Sequence, residues 1–365
     1  MIAIQPDPSQ YSQQLADKLG ALQAAFSQFQ LPEVQVFSSP PLYFRHRADF
    51  AVWHEGNNSH FAVFPDGRAQ GPTYVDQFPI ASQRINELMT KLLPAIENSE
   101  LLRKRLFQTN FHTSLSNQAM ITLAYHKPLD EQWRVEAQQL ADDLNINLIG
   151  RSRKQKIVIG NDYITEVFDV GKRQYHYQQL EGCFTQSNPT ICQAMLNWVD
   201  SVLARQSNDN SDLLELYCGN GNFTLPMAKY FRRVLATELV RNLTNSAQQN
   251  CDTNGIDNID IVRLSAEEVV EAIDKVRQFR RLRDIDLEDY QLTTLFVDPP
   301  RAGLDPACRA LAQKFDQVIY ISCNPQALLE DLQQLTSTHD IVEFAVFDQF
   351  PYTHHLECGI SLNKR

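Results

Sequence analysis

Residues 213–223 read LLELYCGNGNF, an apolar run that ends in Gly219-Asn220-Gly221. Such a run predicts a buried strand, and the two glycines allow a tight turn at its end where a ligand can approach the backbone. In open α/β sheets, ligands bind at the carboxyl ends of strands like this one. The next predicted strand, Val234–Thr237, ends in Glu238, and a carboxylate there can accept both hydroxyl protons of a ribose. The loop departs from the GxGxxG dinucleotide pattern, because Phe223 and Thr224 follow where it would continue. That favours S-adenosylmethionine, which has no pyrophosphate to cradle. A glycine turn before an amphipathic helix reads the same way from the loop alone; Glu238 is what separates the two.

Outward from this loop, the second half of the chain alternates strands and helices. Strands are predicted at 212–217, 234–237, 259–263, 293–297, 318–322, 341–347 and 355–362, with helical patterns between most of them. The alternation predicts a mostly parallel sheet with helices on both faces. The first half differs. Helical spacing is found at 11–26, 81–93 and 133–144, with short strands at 50–53 and 60–64, the second ended by Pro65-Asp66-Gly67. Segments 108–115 and 118–125 flank Ser116-Asn117 as a hairpin. At 365 residues two or three domains are expected at ~150 each. The boundary is placed at 184: an N-terminal α+β domain over 1–184 and a Rossmann-like domain over 185–365. A polar loop at 205–211 and a charged insertion at 277–289 punctuate the second.

Composition narrows the class. Hydrophobic residues are 43% and charged residues 21%, which fits a packed globular protein rather than a disordered one. No apolar run reaches the ~18 residues of a membrane helix, and the start, MIAIQPDPSQYSQQ, lacks a basic or apolar leader, so a cytoplasmic protein is expected. A net charge of −11 argues against broad attraction to nucleic acid, although local basic patches still act within ~8–10 Å. The seven cysteines begin at Cys183 and no two are spaced as CxxC, which excludes a disulfide frame, a zinc site and an iron–sulfur cluster.

Three further stretches carry chemistry. FVDPPRAGL (296–304) places Asp298 before two prolines that fix the backbone at a strand's end. In VIYISCNP (318–325) the strand ends at Cys323 and Pro325 opens a helix. A lone cysteine is usually a small buried hydrophobe, but one at a strand's carboxyl end beside an α/β crevice is a nucleophile candidate. FDQFPYTHHLECG (347–359) offers His354, His355, Glu357 and Cys358. Neighbours on a strand point to opposite faces, so the histidines would not share a metal ion, while His355 and Glu357 would share a face. A cysteine, a carboxylate and a methyl donor are what methylation of uracil at C5 needs. The thiolate adds to C6, the resulting enolate is nucleophilic at C5, and a base then removes the C5 proton so that the thiolate can leave. Cys323 is the expected nucleophile, Glu357 the base and Asp298 an anchor for ring or cofactor.

ELYCGNGNF, VDPPRAGL, ISCNP and DQFPYTHHLECG, in this order, resemble the signature segments of the RNA uracil C5-methyltransferases. YFRHRADF and LFQTNFHTSLSNQAMITLAYHK extend the resemblance over nearly the whole chain. The resemblance implies a Rossmann-like S-adenosylmethionine-dependent methyltransferase domain behind an N-terminal RNA-recognition domain. It implies Cys323 and Glu357 as catalytic residues and Gln186, Tyr217, Asn222, Glu238 and Asp298 as cofactor contacts. Related ribosomal-RNA enzymes carry four N-terminal cysteines for an iron–sulfur cluster; their lack here points to the tRNA branch, which acts on the T-loop uridine 54 of the T-arm. Tyr217 stands where methyltransferases generally have a first glycine, a departure the family shares. A monomer without metal is expected.

For RNA contact the candidates are Arg45, Arg47, Phe107 and His126, with basic runs at 151–156 and 277–283. Single-stranded loops are read by stacking on aromatic rings, and the target base must be turned out of its stack. An amino-group methyltransferase is the enzyme rival, but its proline turn usually continues with an aromatic residue, where Arg301 stands here. A non-enzymatic RNA-binding protein that keeps the fold is the other.

Overall fold

The computed structural model describes residues 5–64, 67, 71–205 and 210–365. Pro65, Asp66 and residues 206–209, where a turn and most of a polar loop are expected, lie outside the described residues, as do residues 1–4. The chain forms two compact units that interleave in sequence. One comprises residues 1–11, 40–167 and 178–189; the other comprises 12–39, 168–177 and 190–365. A cut at 184 therefore does not follow the units: two early segments belong with the C-terminal residues.

The second unit holds an eight-stranded sheet. Its order runs Val34–Phe37, His339–Phe347, Glu357–Lys364, Gln317–Ser322, Leu292–Val297, Asp212–Leu216, Arg233–Thr237, Ile259–Val262. All neighbours are parallel except Glu357–Lys364, which is antiparallel to both strands beside it. Asp212–Leu216 and Gln317–Ser322 are buried throughout, as strands covered on both faces must be. Seven strands lie where the sequence predicts them. The last begins at Glu357 rather than His355, because residues 348–356 form a loop. The eighth, Val34–Phe37, was not expected; four residues carry too little pattern to announce a strand. It pairs in parallel with Phe344–Phe347. The helix before it, Tyr11–Ala25, buries Leu15 and Leu22, and the ring of Phe26 meets Phe344 at 5.5 Å.

The starts of three neighbouring strands of this sheet are tied by one carboxylate. Asp212 is fully buried at the start of its strand and accepts from Arg233 N (3.0 Å), Gln291 N (2.6 Å) and both Nε (3.1 Å) and Nη2 (2.6 Å) of Arg232. It thus ties the beginnings of three adjacent strands together.

The first unit is a seven-stranded sheet ordered Thr73–Tyr74, Asn58–Val63, Arg47–Glu55, Leu106–Thr113, Ala119–Tyr125, Asn147–Ser152, Gln155–Ile159. Only Ala119–Tyr125 with Asn147–Ser152 is parallel, the crossover being the helix Glu131–Leu144. The expected hairpin at Ser116-Asn117 is present. Phe50 is ringed by Phe61, Phe78 and Phe111 at 5.3–5.9 Å. Trp133 fills the space over Gly150, where an added Cβ would lie 2.3 Å from Trp133 Cη2. Among the described residues no helix is long and apolar enough to cross a membrane.

Asp212→Ala should lower the unfolding free energy by about 3 kcal/mol or more, since each buried donor left without a partner costs ~1–3 kcal/mol. Urea titration of the full chain checks this, and a loss under about 1 kcal/mol would show that water replaces the carboxylate.

Candidate active site

The turn expected at Gly219 is built from three left-handed residues: Tyr217 at φ +63°, Gly219 at +58° and Gly221 at +84°. A tyrosine in this region is strained, by about 1–3 kcal/mol, and persists because its surroundings fix it. A side chain at Gly221 would need Leu225 to shift, since a Cβ would lie 2.7 Å from its Cδ1, and the φ of +84° would strain it. Asn250 Nδ2 donates to Asn220 O (2.9 Å) and holds the turn from the following helix. Glu238 closes it: its Oε2 accepts from Gly219 N (3.2 Å) and its Oε1 from Val240 N (2.7 Å). A cleft of about 370 Å³ opens beside these groups, lined by Tyr217, Glu238, Leu239, Ala266, Pro300 and Leu304 among others. Asn222 is turned toward Cys192, with Nδ2 and Oδ1 both 3.5 Å from its Sγ.

The reactive groups collect at the same edge of the sheet. Asp298 directly follows Leu292–Val297, Cys323 directly follows Gln317–Ser322, and Glu357 opens the antiparallel strand between Gln317–Ser322 and His339–Phe347. Ladder register explains the meeting, because Ser322 pairs with Cys358 and Phe347 with Glu357. Burial pushes Asp298 up to about 7. Burial, with Asp298 adding repulsion, pushes Glu357 up to about 8, and its Oε2 has no hydrogen-bond partner among the described residues. Cys323 is raised to about 11, by burial first and then by Glu357 and Asp298, against a lowering pull from Arg301. A carboxyl poised near neutral pH is suited to proton transfer. A thiol that high needs its negative neighbours neutralised before it becomes a nucleophile.

Glu215 was missed by the sequence reading. It is 1% exposed in the middle of the central strand, its Oε2 lacks a partner among the described residues, and burial followed by repulsion from Asp298 raises it to about 8. Its signal was present: an acidic residue within the apolar run LLELY. The Glu238 carboxylate lining the cleft, together with the open space at Gly219, where an added Cβ would meet nothing within 4 Å, fits a ribose-bearing cofactor. His355 lies before the strand, so it does not share a strand face with Glu357; its Nδ1 is 3.4 Å from Arg301 Nη2. Arg301 O in turn accepts from Asn324 Nδ2 (2.9 Å), the residue after Cys323. Among the described residues no group of His, Cys, Asp and Glu could hold a metal ion.

Gln186 belongs to the first unit, and the other expected cofactor contacts belong to the second. Arg45, Arg47, Phe107 and His126 also belong to the first. Phe107 and His126 stack face to face, with ring centroids 3.9 Å apart and planes at 8°. They line an open groove of about 650 Å³ with Lys127, Arg151 and Arg153. Arg45 and Arg47 are tied inward instead: Arg45 Nε donates to Arg47 O (2.7 Å), and Arg47 Nη1 donates to Cys183 O and Thr185 Oγ1 (3.4 Å). Within 277–283, Arg277 and Arg281 pair with Glu268 at 3.5 and 3.3 Å, and Arg283 with Asp284 at 2.9 Å. Much of that basic run is neutralised locally.

An open sheet in this order, with a glycine turn after its central strand and an acidic residue ending the next, is the arrangement of a nucleotide-cofactor-binding α/β domain, and similarity to known proteins makes it that of an S-adenosylmethionine-dependent methyltransferase. The sequence matches the tRNA (Uracil-5-)-methyltransferase family over residues 10–365. It is 51% identical over 361 residues to a tRNA/tmRNA (uracil-C(5))-methyltransferase of Stutzerimonas stutzeri, covering 99% of each chain. A protein of the same description from Cellvibrio japonicus is 52% identical over 355 residues, covering 97% of this chain and 96% of its own. Pyrococcus abyssi tRNA (uracil-54, C5)-methyltransferase, solved with S-adenosyl-L-homocysteine, shares the fold at a TM-score of 0.72 and 20% identity, over 96% of this chain and 83% of that one. The chain belongs to the tRNA (uracil-5-)-methyltransferase family, enzymes that methylate uracil C5 with S-adenosylmethionine as cofactor.

Glu215 sets a stability test. Its folded value near 8 lies above the ordinary 4.5, so the stability it contributes is whole below about 4.5 and is lost as pH rises through about 8. Glu215→Gln removes that dependence. The wild-type-minus-variant unfolding free energy of the cofactor-free protein should fall by about 1 kcal/mol per pH unit between about pH 5 and 8. A flat difference would mean that Glu215 is already ionised.

Proposed function

We propose that this enzyme methylates the T-loop uridine 54 of tRNA through a covalent bond between Cys323 and C6 of the uracil, with Glu357 removing the C5 proton. The observation that carries the reading is the register Ser322–Cys358, which brings the thiol and a buried carboxyl, one of whose oxygens has no partner among the described residues, to one edge of the sheet. S-adenosylmethionine, when bound, supplies the electrophilic methyl group. Addition of the Cys323 thiolate makes C5 of the ring nucleophilic. Glu357, with its proton affinity raised by burial, is a stronger base than an ordinary carboxylate and accepts the C5 proton, after which the C6–S bond breaks. Asp298 anchors the ring or the cofactor. Gln186, Tyr217, Asn222 and Glu238 make the remaining cofactor contacts, and Gly219, where an added Cβ would meet nothing within 4 Å, leaves the backbone open beside them. The S. stutzeri and C. japonicus relatives are tRNA/tmRNA enzymes, and we extend the tmRNA substrate to this chain as well.

The stacked Phe107–His126 pair, lining an open groove with Lys127 and Arg153, supports recognition of a single-stranded loop by stacking. Arg45 and Arg47 support it more weakly, since their hydrogen bonds to Arg47 O and Cys183 O shape the protein itself.

Cys323→Ala should abolish methylation and any covalent RNA adduct. Glu357→Gln keeps the shape but cannot take the proton, so a methylated RNA–protein adduct should accumulate and survive denaturing electrophoresis. Turnover by Cys323→Ala would rule out the covalent route, and full activity of Glu357→Gln would move the base elsewhere.

Phe107→Ala should weaken binding of a T-arm hairpin about tenfold, from a stacking contribution of ~1–3 kcal/mol, while S-adenosylmethionine affinity stays unchanged. Equal RNA affinity in the variant would remove Phe107 from the interface.

A further inference from the structure

Lys18 is an unusual buried lysine. It sits in the helix Tyr11–Ala25, is 8% exposed, and reaches a loop 330 residues further along the chain. An ammonium has three protons to donate, and here there are three acceptors: Asp348 Oδ1 at 2.7 Å, Phe350 O at 3.0 Å and His355 O at 3.2 Å. Asp348 is fully buried. The three acceptors span residues 348–355, which connect the strand ending at Phe347 to the strand opened by Glu357. One helical turn earlier, Gln14 Oε1 accepts from Tyr352 N at 2.9 Å, where the chain takes a left-handed φ of +61°. Two side chains four residues apart on one helix face thus grip the loop at its start, middle and end.

Replacing a buried ion pair by apolar residues of similar size often costs no stability, so such a pair is better suited to fixing geometry than to strengthening a fold. What this one fixes is the approach to Glu357: the last acceptor, His355 O, lies two residues before it. We propose that Lys18, paired with Asp348, is a positioning residue for proton removal, holding loop 348–356 so that Glu357 faces the C5 proton. The inference rests on Glu357 being the base.

The test compares wild type, Glu357→Gln, Lys18→Met and the double variant Lys18→Met/Asp348→Asn, which leaves no uncompensated buried charge. Each is given S-adenosylmethionine and an unmodified T-arm hairpin. Calorimetry reads cofactor affinity, steady-state kinetics separate kcat from KM, and denaturing gels read the fraction of enzyme held as RNA adduct. The Lys18 variants should bind cofactor as wild type does. Their kcat should fall about tenfold or more with KM little changed, as expected when a catalytic group is misplaced by a fraction of an ångström to an ångström. The adduct fraction should rise toward that of Glu357→Gln, because elimination alone is slowed. Adduct in Glu357→Gln but none above wild type in the Lys18 variants overturns this inference and leaves the base assignment standing. No adduct in Glu357→Gln overturns both. Failure of both Lys18 variants to fold assigns the pair to stability and overturns the positioning role.

Discussion

The antiparallel pairing of Glu357–Lys364 with Gln317–Ser322 is the constraint on which the site depends. In an all-parallel sheet, the residues at the carboxyl edge would all be strand ends. Reversing one strand brings a strand beginning to that edge instead, and here that beginning is Glu357. A shift of the register by one residue would turn every side chain of the strand to the opposite face. The strand is buried on both faces over Glu357–Leu362, with Gly359 under Trp198 and Phe347, where an added Cβ would come within 2.8 and 3.0 Å of their rings. Packing and register therefore agree in placing the carboxyl next to Cys323.

That placement has an electrostatic consequence. Glu357, Asp298 and Glu215 are three carboxyls in poorly solvated positions, each raised by burial, and Asp298 acts on both of the others. Their titration belongs to the group rather than to any single residue. While they hold protons they no longer oppose the Cys323 thiolate, whose elevation comes partly from Glu357 and Asp298. Cys323, Glu357 and Asp298 are thus electrostatically coupled along one sheet edge, with Arg301 supplying the opposing charge.

Local signals in the sequence were enough for the elements that carry the site. Gly219, the Pro299-Pro300 pair and Pro325 each mark where a strand stops, so Tyr217, Asp298 and Cys323 could be put at strand ends from pattern alone. What pattern does not contain is pairing over distance. Nothing local in Val34–Phe37 announces its parallel partner at Phe344–Phe347, and nothing near Lys18 points to Asp348. The interleaved units follow from the same limit, because residues 12–39 and 168–177 join their unit through contacts made far along the chain. Charge runs misled for a related reason. Arg277 and Arg281 look free in the sequence, and Glu268 is the partner for both. His355 was read as the first part of a strand, but the loop held by Lys18 includes it.

In the proposed route Cys323 forms the bond to uracil C6, and a base must then remove the proton at C5. A T-arm hairpin carrying 5-fluorouridine at the target position tests both at once, because fluorine cannot be removed as a proton. Intact-mass measurement after incubation with S-adenosylmethionine should give a stable complex equal to protein plus RNA plus one methyl group. Digestion should locate the RNA on the peptide containing Cys323. A complex attached at any other residue, or methylated RNA released without a covalent complex, would contradict the account.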